Sequence, residues 1–360
     1  NSAVGKDALD ANTTGYYNVA VGEASMGANT DGHSNTAVGH EALLANTTGD
    51  TNVAVGNGAL TTATTATDNV AVGANALRLN TTGDKNVAIG KSALDLNTTG
   101  SDNVAIGFGA LDANTTGNVN VAIGKNALTN NTTASYNNAL GYEALKDNTT
   151  GTNNTAIGKG ALEKNTTASN NTSVGFQALL ANTTGISNVA VGAYVLDANT
   201  TGSTNVGLGD NALGACTTGG ANIGIGSQAG DAITTGSNNV CIGFDSGEIL
   251  STGRYNTCIG PNNAGSNLTT GEFNIYLGYW AIASAAAVAG EFVLSTGNSG
   301  DTGKGTNTGF MGCSSGMYQD NNSSSWSTTS DERIKKNIEN NNIGLEAIKN
   351  IQVKNFEYRT

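Results

Sequence analysis

Apolar and polar positions along the 360-residue chain repeat on a strict 17-residue period. An Asn-x-Ala-Val/Ile-Gly motif, or a close variant, starts at Asn1, Asn18, Asn35 and Asn52 and keeps that register to Asn256. It returns at Asn274 after one extra residue, giving 17 copies. Units of this length bury too little apolar surface to fold singly and stabilise one another by stacking. The pattern predicts an all-β fold, a parallel β-solenoid or β-roll built from one 17-residue rung per copy over residues 1–278.

Numbering each rung from its leading Asn as slot 1, slots 2 and 4 of an extended segment face one way and slot 3 the other. Slot 4 is Val, Ile or Leu in every copy from Val4 to Leu277, and slot 3 is nearly always Ala. A strand that is apolar on both faces is buried on both. The expectation is that slots 2 and 4 fill the rung's own core, while small slot 3 lets a second copy of the chain approach. Slots 8 and 9, Ala-Leu in most copies, as in Ala110 and Leu111, supply the opposite wall. Slots 12–15, read as Asn97-Thr98-Thr99-Gly100 in one rung, predict a corner with Gly free to take positive φ. Later rungs put Cys216, Ile233 and Leu250 in slot 12, so its Asn is expected to point inward as a ladder. Charges gather at slots 6, 7, 10, 16 and 17, the expected solvated edges.

Composition narrows the possible partners. Net charge is −12 with only 16 basic residues, too sparse a cationic face for nucleic acid or an anionic membrane. No run of 18 apolar residues predicts a membrane-spanning helix, and the repeat is already in register at Asn1, so no signal peptide is expected within this chain. Cys241 and Cys258 occupy slot 3 of consecutive rungs. They lie close enough for a bridge, but free buried thiols are the expectation. His33 and His40 have no metal-ligand spacing around them, and neither a metal nor another cofactor is expected.

Beyond Gly278 the motif fades. Residues 279–329 read as a Gly/Ser/Asn-rich connector and trimer cap, and residues 330–360 as the beginning of a mixed α/β domain. In that last stretch Ile334 and Ile338 stand at helical spacing, and Val353 to Tyr358 reads as a strand.

Two resemblances follow from these residues. The repeated Asn-Val-Ala-Ile-Gly core resembles the head repeats of trimeric autotransporter adhesins, which implies a left-handed parallel β-roll packed as a homotrimer. Trp326-Ser-Thr-Thr-Ser-Asp-Glu-Arg-Ile-Lys-Lys-Asn-Ile338, with Gly344-Leu345 and Phe356-Glu-Tyr358, is similar to the start of the intramolecular chaperone domain of endosialidase-type phage tail spikes and fibres. That resemblance implies a virion-surface, extracellular tail fibre that contacts other tail proteins and a host-surface receptor, such as a glycan. It also implies self-cleavage between Ser330 and Asp331, with Ser330 as nucleophile and Lys335 as its base.

The remaining chemistry has structural readings beside it. Ten Asn-Thr-Thr triplets from Asn12 to Asn199 match a glycosylation sequon, but Cys216, Ile233 and Leu250 in the same slot favour an inward, unmodified Asn ladder. Asp95, Asp112 and Asp197 recur at slot 10, which suits an edge better than the paired acids of a polysaccharide-degrading spike. Thr ranks suggest an ice-binding face only if regular hydroxyls point outward. Tyr276, Tyr279, Trp280, Tyr318 and Trp326 suggest a sugar-stacking platform or, more simply, a closed solenoid end. The function expected is a structural and host-adhesion segment of a tail fibre. A polysaccharide-degrading spike and a cellular surface adhesin are the alternatives.

Overall fold

The computed structural model describes residues 1–296, 300–312, 317–319 and 327–328. Ser330, Asp331 and Lys335, and with them the expected self-cleavage site and chaperone segment, lie outside the described residues. So do Cys313 and Trp326.

One parallel ladder organises the chain. Each rung contributes a three-residue strand from slots 2–4, and every strand pairs with the next at the same slots: Val87 with Val104, Ala88 with Ala105, Ile89 with Ile106. No helix occurs among the described residues. The ladder continues where the motif ends. Ile275–Gly278 pairs in parallel with Phe292–Ser295, which pairs in the same way with Gly309–Gly312. Met317–Gln319 and Ser327–Thr328 then add antiparallel strands at that end.

So short a strand leaves fourteen residues to complete the turn, and the backbone does so through left-handed positions. Slot 5 Gly holds φ near 130° (134° at Gly107), where a Cβ would sit 2.6 Å from the carbonyl oxygen of Gly124 in the next rung. Non-glycine residues take positive φ at slots 7, 9 and 17, among them Leu111 at 55° and Val119 at 56°. Slot 15 Gly does not take positive φ, contrary to expectation. A small residue is needed there because the Oδ1 of slot 12 and the next rung's slot-15 carbonyl crowd it, as Asn97 Oδ1 and Gly117 O crowd Gly100.

The strand faces are the reverse of those expected. Slot 3 Ala points into the rung and is fully buried from Ala20 through Ala190, whereas slot 4 faces outward: Ile89 is 39% and Ile157 38% exposed. The interior is too narrow for two branched side chains from the strand, because Leu of slot 9 and two Asn columns already fill it. Volume compensation shows how tight it is. Where slot 8 enlarges to Val195, slot 3 of the next rung shrinks to Gly207, whose added Cβ would lie 2.4 Å from Val195 Cγ1. Where slot 9 loses its Leu at Gly247, Cys241 fills the space, with Sγ 2.6 Å from the position of a Gly247 Cβ. Cys216, Cys241 and Cys258 are free and buried, and burial pushes the Cys216 thiol up to about 11.

Two rows of buried Asn run through the core. In slot 12, Asn97 Nδ2 donates to Asn80 Oδ1 at 2.7 Å and to the Gly100 carbonyl at 2.9 Å, and Asn114 repeats the contact onto Asn97 at 2.8 Å. Slot 1 forms a second row that sequence reasoning took only as a register mark. Each slot-1 Oδ1 accepts the next rung's slot-1 N–H, as Asn86 Oδ1 does from Asn103 N at 3.1 Å, and Asn103 Nδ2 donates to the Gly117 carbonyl at 2.9 Å. At the carboxyl-terminal end Glu291 takes the slot-1 position. Its buried carboxylate accepts from Tyr276 OH (2.9 Å), Ser284 N (3.0 Å) and Gly305 N (2.8 Å), so the charge is fully hydrogen-bonded.

Candidate functional site

The ladder positions two surface features. The first is the outward strand face. Slot 4 is apolar from Val4 to Leu277, and slot 2 beside it is mostly Val, Thr or Ile, so two adjacent columns of branched side chains run the length of the ladder. A monomeric soluble protein typically leaves open apolar patches of roughly 300–600 Å². A stripe drawn from every rung exceeds that.

The second is an open groove of about 280 Å³ near the carboxyl-terminal end, lined by Asp245, Asn262, Asn263, Tyr279 and Trp280. Slots 6–8 of three successive rungs build it, and the left-handed backbone at Asp245 (φ 54°), Asn262 (54°), Asn263 (62°) and Trp280 (50°) turns these side chains to one side. Asn262 Nδ2 donates to Tyr279 OH at 3.0 Å, while Tyr279 and Trp280 stay 38% and 41% exposed. Asn263 Oδ1 is buried without a partner. Burial raises the Asp245 carboxyl above its usual range, and nearby Glu248 raises it further. Flat aromatic faces beside an amide and a carboxylate can stack on a sugar ring and bond its hydroxyls.

The other sequence candidates separate. Tyr276 is buried in the core and lines no platform. His33 packs on Tyr16 at 4.8 Å and meets the Asp50 carboxylate. Among the described residues no group of three or more His, Cys, Asp or Glu could hold a metal. The slot-12 Asn side chains are fully buried from Asn29 to Asn199, Ala63 excepted, so the folded rod does not present them to solvent. Slot-13 Thr hydroxyls are consumed within the stack: Thr98 Oγ1 donates to the Thr115 carbonyl at 2.9 Å, and the other rungs follow. That leaves one outward Thr column rather than the paired array an ice-binding face needs. Slot 10 is less solvated than expected. The Oδ1 atoms of Asp112 and Asp231 are buried without partners, and burial raises the carboxyls of Asp112, Asp197 and Asp231.

No family model, no curated protein and no solved structure matches this chain.

Proposed function

We propose that this chain is the structural and host-adhesion segment of a homotrimeric viral tail fibre. The observation that carries the reading is the continuous apolar stripe of slots 2 and 4 on a long, unbranched parallel ladder. In a trimer each copy turns this stripe toward the shared axis, where the slot-2 column meets one neighbour and the slot-4 column the other. The groove at Tyr279 and Trp280 supplies the adhesive chemistry, and its fit is to a glycan. Residues 330–360 act in this reading as the start of the folding chaperone, released by Ser330 with Lys335 as base.

Light scattering on the purified protein tests the assembly, and antibody labelling of intact virions tests its place. A folded monomer, or labelling of host cells free of virus, would refute the fibre reading. Expression with the complete carboxyl terminus tests cleavage by mass: wild type is expected to be cut, and Ser330→Ala and Lys335→Ala to remain whole.

One observation favours a second reading, a polysaccharide-degrading spike. The groove pairs exposed aromatic rings with a carboxyl, Asp245, whose pKa burial and nearby Glu248 raise, the direction a general acid requires. Release of reducing ends from host polysaccharide by the purified rod, lost in Asp245→Asn, is the outcome that would favour it.

A further inference from the structure

Slot 6 carries an alternation that neither the rod architecture nor the terminal groove explains. From one rung to the next it reads Lys91, Phe108, Lys125, Tyr142, Lys159, Phe176. All six lie on the exposed ridge just past the slot-4 column. The structure sets five of them in sequence from Phe108 to Phe176: Lys125 Nζ lies 6.0 Å from the Phe108 ring centre and 5.9 Å from that of Tyr142. Lys159 Nζ lies 5.9 Å from Tyr142 and 5.6 Å from Phe176.

These distances are at the outer reach of a cation–π contact, so the ammonium protons remain free to bond a ligand. None of the three lysines makes an ion pair among the described residues. Within slots 6 and 7 from Lys91 to Gln177 the single acid is Glu143, and its carboxylate is held by Lys146 at 3.1 Å. In a chain of net charge −12, this column is an uncompensated cationic track floored by aromatic rings.

We propose that the slot-6 column binds a linear anionic polysaccharide laid along the rod. Parallel strands are spaced about 4.8 Å apart, so the lysines recur about every 10 Å with a ring between each pair. A glycan bearing a carboxylate on every second sugar presents that order, acid then apolar ring face. A nucleic acid carries a charge on every nucleotide and needs a denser cationic surface than three lysines. The proposal rests on the adhesion reading and extends it to a second, polymeric site apart from the terminal groove.

The test measures binding of the full chain to hyaluronan, whose carboxylate falls on every second sugar, with neutral dextran and single-stranded DNA as controls. Oligomeric state is read on the same samples. Wild type is expected to bind hyaluronan, more weakly as salt rises, and not dextran. Lys125→Gln with Lys159→Gln is expected to weaken binding about tenfold or more, and Phe108→Ala with Tyr142→Ala also to weaken it. Both variants should keep the wild-type mass and melting temperature. Unchanged affinity in both variants, tighter binding of DNA than of hyaluronan, or loss of assembly in the lysine variant would each overturn the proposal. The last result would make the column a subunit contact. A wild type that binds hyaluronan as a monomer would sink the trimer and leave this site standing.

Discussion

Ala63 shows what a single side chain does to the slot-12 row. Its neighbours in the row are Asn46 and Asn80, and a methyl group between them leaves Asn46 Oδ1 buried and unpaired. Cys216 does the same to Asn199 Oδ1. Ala63→Asn should therefore stabilise the rod, by about 1 kcal/mol, because it supplies the missing donor and an Asn already fits beside a slot-15 Ala at Asn131 and Asn165. Denaturant unfolding would check it, and no gain would mean that the orphan is satisfied in some other way. Asn97 gives the converse. Asn97→Leu removes the donor to Asn80 Oδ1 and the acceptor for Asn114 Nδ2, whereas Asn97→Asp keeps that acceptor but puts a buried charge against Asn80 Oδ1 and the Gly100 carbonyl, so Asp should lower the melting temperature more. Asp112 adds a pH dependence. Burial raises its folded pKa above the usual 3.8, so the unfolded chain gives up the proton first. Stability is lost as pH rises from that value through the folded one. Asp112→Asn should raise the melting temperature at pH 7 and make no difference at pH 3.

At the scale of the rung, the 17-residue period made the solenoid legible, and the Ala-Leu wall and inward slot-12 Asn could be read as well. The direction of the strand was not. Invariance at slot 4 was read as burial in the rung's own core, yet an outward position shared by every rung is held equally constant. The informative signal lay in slot 2, which switches among Val, Thr36, Asn138 and Thr172, whereas the interior admits an Asn side chain only in a column that repeats its hydrogen bonds from rung to rung. Likewise the leading Asn, present in all 17 copies, was a polar residue held as strictly as any core position, and its buried hydrogen bonds explain why. The two glycine slots should now behave differently. Gly107→Ala places a Cβ against Gly124 O at a φ that L residues avoid, and should cost about 2–3 kcal/mol. Gly117→Ala in slot 15 should stay within about 1 kcal/mol, since Ala66, Ala134 and Ala168 already occupy that slot. Equal losses in thermal melts would count against the slot-5 argument. Sequence pattern picked out Tyr279 and Trp280 of the groove but not Asp245, Asn262 or Asn263, because these meet the rings only through left-handed turns in three different rungs.

At the scale of the whole molecule, the reversed strand lets folding and the proposed assembly be tested separately. Ala105 faces the interior and Ile106 the outside. Ala105→Glu should unfold its rung and lose the β-sheet circular dichroism signal, because the charge has no partner inside. Ile106→Glu should leave that signal intact and dissociate the proposed trimer, as light scattering would report. If Ile106→Glu assembles like wild type, slots 2 and 4 are not the subunit interface. Across roughly 18 steps of about 4.8 Å the ladder is about 90 Å long, so the stripe and the slot-6 track are extended in the same direction.

The missing amide at Ala63 also bears on how such a rod carries load. Two rows of side-chain bonds tie the rungs together, and at this point one is severed while the other runs on through Asn52 and Asn69, with Asn69 N bonded to Asn52 Oδ1 at 3.0 Å. Both rows donate to the same slot-15 carbonyls, as Asn86 and Asn97 do to Gly100, so they run side by side and the uncut row bridges the gap. The backbone ladder is also whole there, so the break should act as a local softening near residues 46–80, repeated from Cys216 onward where slot 12 holds no Asn.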